Sequence, residues 1–139
     1  MMSRLGVWFM GVLARVPLPV LRAMGAALGR VLFVLVAPRR KIALRNLELC
    51  FPEASAEQRQ AWARESFIVF CQTWLDRSWL WSAPQSVVEQ RVKLQGAVHE
   101  LDGDVPTIIF APHFYGLDAG GLVLPLRTSR AFTSIFSTH

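Results

Sequence analysis

His113 stands after the apolar run 107–111 and Pro112, and Asp118 follows five positions later, in TIIFAPHFYGLDAGG. At working pH an imidazole can take a proton from an alcohol as the alcohol attacks an acyl carbon. It does so best when a carboxylate holds its second nitrogen, which fixes the tautomer and stabilises the imidazolium that forms. Five residues along a regular helix is about 140° around, so the two side chains would diverge if both belonged to one helix. The chemistry therefore needs His113 on a strand-to-helix turn, with Asp118 in the first helical turns reaching back. Pro112 and Gly116 make that turn feasible. Taken alone the pattern also fits a strand-end histidine satisfied by a nearby aspartate for structural reasons. His99, beside Glu100, and His139 lack a comparable context and read as surface residues.

The elements around this pair set the expected fold class, α/β. RVKLQG reads as a short strand ended by Gly96, AVHEL as a helical turn, DGDVP as a turn and TIIFA as a buried strand rich in β-branched residues. Residues 116–124 can be helical, and AFTSIFS gives another strand candidate. Strand, helix and strand in that order predict a βαβ unit, with active groups at the carboxyl ends of its strands, where His113 falls. Upstream, Ile42, Leu44, Leu47 and Leu49 predict a helix that stops at Phe51 and Pro52. Ser55 and Gln58 then form a capping box that opens a helix running to about Trp81. On it Phe67, Phe70, Cys71 and Trp74 make a stripe expected in the core, and packing is preferred to a membrane interface for Trp79 and Trp81.

Before residue 38 the chain is strongly apolar, with arginines at 4, 15, 22 and 30. Pro17 and Pro19 divide it into two helices, about 1–15 and 19–36. No uninterrupted window reaches the roughly 18 apolar residues of a clean transmembrane helix. In the second helix Arg22 and Arg30 share a side, while Leu21, Met24, Leu28, Leu32 and Leu35 are expected to meet acyl chains. The predicted membrane-contacting residues are Trp8, Phe9, Arg15, Arg22, Arg30, Arg39, Arg40 and Lys41, with arginines reaching lipid phosphates. A signal peptide fits less well, because no small-residue cleavage site closes the apolar run before Arg15. A core helical hairpin is a further competitor.

The whole chain agrees with membrane contact: of its 139 residues 53% are hydrophobic and only 18% charged, while a net charge of +5 favours acidic partners. Nothing matches a nucleic-acid module. Cys50 and Cys71 have neither metal spacing nor a disulfide framework and read as reduced thiols.

The block RRKIALRNLELCFPE, with Asn46, Leu47, Cys50, Phe51 and Pro52, and the H-x4-D pattern at His113 and Asp118 followed by Gly120 and Gly121, resembles the lipid A biosynthesis acyltransferases of Gram-negative bacteria. These are related to the glycerolipid acyltransferases. The resemblance implies a membrane-associated segment over 1–37 and the amino-terminal part of an α/β acyltransferase domain over 38–139, a truncated form expected to be inactive alone. It implies that His113 is the general base and Asp118 its orienting partner, with no metal or other cofactor. It also implies acyl carrier protein as donor, a phosphorylated glycolipid as acceptor, an anionic membrane surface as partner and the cytoplasmic face of the inner membrane as location. A different class of function stays open: a non-catalytic membrane-anchored module that binds a partner protein through its aromatic helix.

Overall fold

The computed structural model describes residues 2–103, 105–128 and 131–133, with side chains from residue 4 onward. The chain divides into two compact units, Met1–Ser82 and Ala83–His139. The first is built from α1 (Met2–Leu13), α2 (Leu18–Leu35), α3 (Ala37–Cys50) and α4 (Ala56–Ser82). Prolines punctuate it. Pro17 caps α2 and Pro19 lies in its first turn, where a missing N–H forfeits no helical bond. Pro38 does the same for α3 after the chain bends at Val36. The Ser55 and Gln58 box forms as expected: Gln58 N–H donates to Ser55 Oγ at 3.2 Å, and Ser55 N–H donates to Gln58 Oε1 at 2.9 Å.

α2 lies along α4 through a stripe of one residue in four: Leu21, Gly25, Gly29 and Phe33 are all buried. The two glycines allow an unusually close approach. A Cβ on Gly29 would stand 2.5 Å from Ile68 Cα and 2.7 Å from Phe67 O, and one on Gly25 would stand 2.8 Å from Gln72 Cα. Polar contacts run beside the seam: Gln72 Nε2 donates to the Arg22 carbonyl at 3.0 Å, and Arg22 pairs with Asp76 at 2.8 Å. The Phe33 and Phe67 rings meet edge to face at 5.5 Å. From α4 the buried side chains are Ala63, Ile68, Cys71, Leu75, Ser78, Trp79 and Leu80. Each large apolar side chain so covered contributes about 1.5–3 kcal/mol.

Two expectations about faces are corrected here. Leu21 is 1% exposed, so it faces α4 and not lipid, while Met24, Leu28 and Leu35 do remain exposed. In the aromatic stripe Cys71 is buried, but Phe70 is 53% and Trp74 43% exposed. Trp79 is in the core, with Nε1 donating to Asp76 Oδ1 at 3.0 Å, whereas Trp81 is exposed.

The second unit holds α5 (Gln85–Arg91), one 3-10 turn at Val98–Leu101 and α6 (Leu117–Arg127). The expected α/β class and its βαβ unit are overturned: every regular element among the described residues is helical, and no sheet forms. The TIIFA segment belongs to no regular element, and Ile108 is 98% and Phe110 89% exposed. Apolar β-branched residues favour an extended backbone, yet a strand also requires a second backbone to receive its N–H and C=O groups. RVKLQG likewise forms no strand, and the last four residues of AFTSIFS, like His139, lie outside the described residues.

Candidate active site

The chain enters the site along the irregular segment after Val105 and leaves it in α6. Between them two tight turns follow one another. Phe114 N–H donates to the Pro112 carbonyl at 2.8 Å, closing a three-residue turn centred on His113. Leu117 N–H then donates to the Phe114 carbonyl at 3.3 Å. Gly116 occupies the left-handed region, φ 86°, at the N-cap of α6, a conformation other residues adopt at a cost. This bend sets His113 just ahead of the helix, with its side chain exposed, and puts Asp118 half-buried in the first turn of α6. A carboxylate there is favoured by the unpaired N–H groups and the helix dipole.

The same segment walls a hollow of about 750 Å³ whose lining includes Pro106, Ile108, Ile109, Leu117 and Phe132. Neither His113 nor Asp118 is part of that lining. The hollow's walls are mainly apolar, so it offers contact to a hydrocarbon chain on the approach to the bend. α6 is anchored through Val123, fully buried, and through Arg127, whose Nη2 donates to the Glu89 carbonyl of α5 at 3.3 Å. His99 is exposed in the 3-10 turn, as a surface residue would be.

The cations expected at a membrane occupy different settings. Arg15, Arg30, Arg39 and Lys41 are exposed, as are Trp8 and Phe9 of α1. Arg22 is engaged by Asp76. Arg40 Nη1 donates to the carbonyls of Phe33 and Val34, at 2.7 and 3.0 Å, and so caps the end of α2. Arg59, which had no role assigned from sequence, fastens the Phe51 to Ala54 loop by donating from Nη1 to the carbonyls of Phe51, Pro52 and Ala54. Its position one turn into α4 was the available clue. The Gly25-x3-Gly29 spacing was a plainer signal for the α2 seam, because small residues four apart let helix backbones approach.

All of residues 1–139 match the bacterial lipid A biosynthesis acyltransferase family, and the chain belongs to it. It is 31% identical over 126 residues to a lipid A biosynthesis palmitoleoyltransferase of Escherichia coli K12, covering 86% of this chain and 41% of that protein. A lipid A biosynthesis acyltransferase of Shigella flexneri matches over the same shares at 31%, and a lipid A biosynthesis lauroyltransferase of E. coli K12 is 27% identical over 84% of this chain and 39% of that protein. The chain thus spans about two fifths of the length of the curated relatives it matches. No solved structure matches significantly.

Proposed function

We propose that this sequence carries the acid–base pair of an O-acyltransferase of lipid A biosynthesis, with His113 as general base and Asp118 as the residue that orients it. The observation that carries the reading is the exposed imidazole on a tight bend directly ahead of the acid-bearing first turn of α6. The acceptor hydroxyl of a phosphorylated glycolipid gives its proton to His113 as its oxygen attacks the thioester carbon of an acyl carrier protein. Collapse of the tetrahedral intermediate breaks the C–S bond. The imidazolium returns its proton to the leaving thiolate, and Asp118 steadies the positive ring meanwhile. No cofactor takes part in these steps. The relatives' names support acyl transfer to a lipid A precursor. The net charge of +5 suits an acidic carrier and lipid phosphates, and the exposed apolar side chains of α1 and α2 suit work at the cytoplasmic face of the inner membrane.

The test compares membranes from cells expressing the complete protein that carries this sequence and its His113→Ala variant, supplied with acyl carrier protein thioester and phosphorylated acceptor. Mass spectrometry of the glycolipid should show acylation reduced by about 10²–10⁴-fold in the variant. Equal turnover in both would remove His113 from the mechanism. A second reading, a partner-binding module, draws on Phe70 and Trp74, exposed on α4. It predicts membrane association with no acylation in either sample.

A further inference from the structure

α2, α3 and α4 each send an arginine to one hollow. About 590 Å³ in volume, it is lined by Arg30, Phe33, Val34, Arg40, Gln60 and Arg64. The guanidinium carbons of Arg40 and Arg64 stand 5.5 and 5.6 Å from the centre of the Phe33 ring, within the range of cation–π attraction. Phe33 is itself buried and braced by Phe67. Arg40 is further fixed by the two carbonyls at the end of α2. None of the three arginines pairs with a carboxylate among the described residues, whereas Arg22 and Arg45 each do. The polar residue between them, Gln60, is neutral. Three cations gathered around one space repel each other unless an anion enters it, and guanidinium groups match phosphate oxygens in geometry as well as charge.

We propose that this hollow seats the phosphate of an anionic membrane phospholipid. A lipid is favoured over a soluble phosphate by what adjoins the hollow: Val31, Val34 and Leu35 lie exposed at the same end of α2, Val34 forming part of the wall. A phosphate held by the arginines would leave its acyl chains along those side chains, so that head and tail of one molecule are both received. The inference rests on the membrane-surface reading given above, and the experiment separates the two.

Full-chain protein is sedimented with vesicles of phosphatidylcholine alone or with one third phosphatidylglycerol, at fixed ionic strength. Wild type is expected to bind both and to prefer the anionic vesicles by about tenfold. Arg30→Gln with Arg64→Gln should bring that preference to within about twofold while leaving binding to neutral vesicles unchanged. Arg45→Gln with Lys93→Gln, which removes equal charge elsewhere, should retain it. Preference lost equally in both double variants would reduce the effect to net charge and overturn the site, as would preference retained in the first. Displacement by inorganic phosphate at the chloride-matched ionic strength would reassign the hollow to a soluble anion. Failure of wild type to bind either vesicle would overturn the membrane-surface reading and the site with it. Circular dichroism of each variant verifies that the helices persist.

Discussion

Ser78 carries its hydroxyl into the interior of the first unit, where it has no hydrogen-bond partner among the described residues. A buried polar group left unsatisfied costs about 1–3 kcal/mol. Ser78→Ala should therefore stabilise the protein by about 1 kcal/mol, read as a higher urea midpoint with an unchanged slope; a fall would mean that the hydroxyl is bonded. The two thiols offer a second test. Cys50 is exposed, while Cys71 is buried and its burial pushes the thiol pKa up. Iodoacetamide should label Cys50 alone in the folded protein and both after denaturation, and equal labelling of the two in the folded state would contradict the α2 and α4 packing. Some of these residue environments were legible in advance and others were not. The bend at His113 could be read from Pro112 and Gly116, because those residues restrict backbone angles locally. The Arg22 and Asp76 pair could not, since its members are 54 positions apart and only the helix packing joins them.

Among the elements, the α2 and α4 seam makes the sharpest prediction. Alanine in place of Gly29 gains up to about 1 kcal/mol of helix propensity, yet its methyl must enter space held by the Ile68 and Phe67 backbone. Backbone cannot rotate away as a side chain can, so Gly29→Ala should destabilise by about 1–3 kcal/mol. Gly11→Ala meets no atom within 4 Å and should be neutral or slightly stabilising. The pair is compared by thermal denaturation, and equal effects would show that the seam is looser than described. Helix ends were well marked in the sequence because prolines and the capping box act within one turn. Helix faces were poorly marked. α2 is apolar almost all round, so no polar side told which leucines meet α4. α4 mixes aromatic and charged residues on several sides, so its stripe of Phe67, Phe70, Cys71 and Trp74 split between core and surface. The strands failed for another reason: composition can favour an extended backbone, but only a neighbouring chain segment completes a ladder.

At the scale of the molecule, acid should weaken the first unit. Glu48 is held below its ordinary value of 4.5 by a hydrogen bond from Arg45 and by that residue's charge. Glu57 is lowered by its own backbone N–H and then by the Ser55 hydroxyl. Groups depressed in the folded state contribute stability that is present above the unfolded value and is lost as pH falls through the folded one. The urea midpoint should hold steady down to about pH 5 and decline below it, and Glu48→Gln with Glu57→Gln should make that decline shallower. An identical decline in the variant would place the acid sensitivity elsewhere. Membrane association, for its part, should be probed by point changes. Removing residues 1–37 would strip α4 of its partner and expose Ile68, Cys71 and Leu75, mixing unfolding with the loss of the apolar helices. By length and composition α2 could cross a bilayer, with a mean hydropathy of 1.7. Its backbone contact with α4 argues for another posture. To pass through hydrocarbon α2 would have to unfasten from α4 or drag Arg64, Glu65, Asp76 and Arg77 in with it, at about 2.5–3.5 kcal/mol for each charge near the midplane. The pair of glycines thus works as a keel joint: it locks the greasy flank of α2 to the charged helix α4, so that neither can shift without the other.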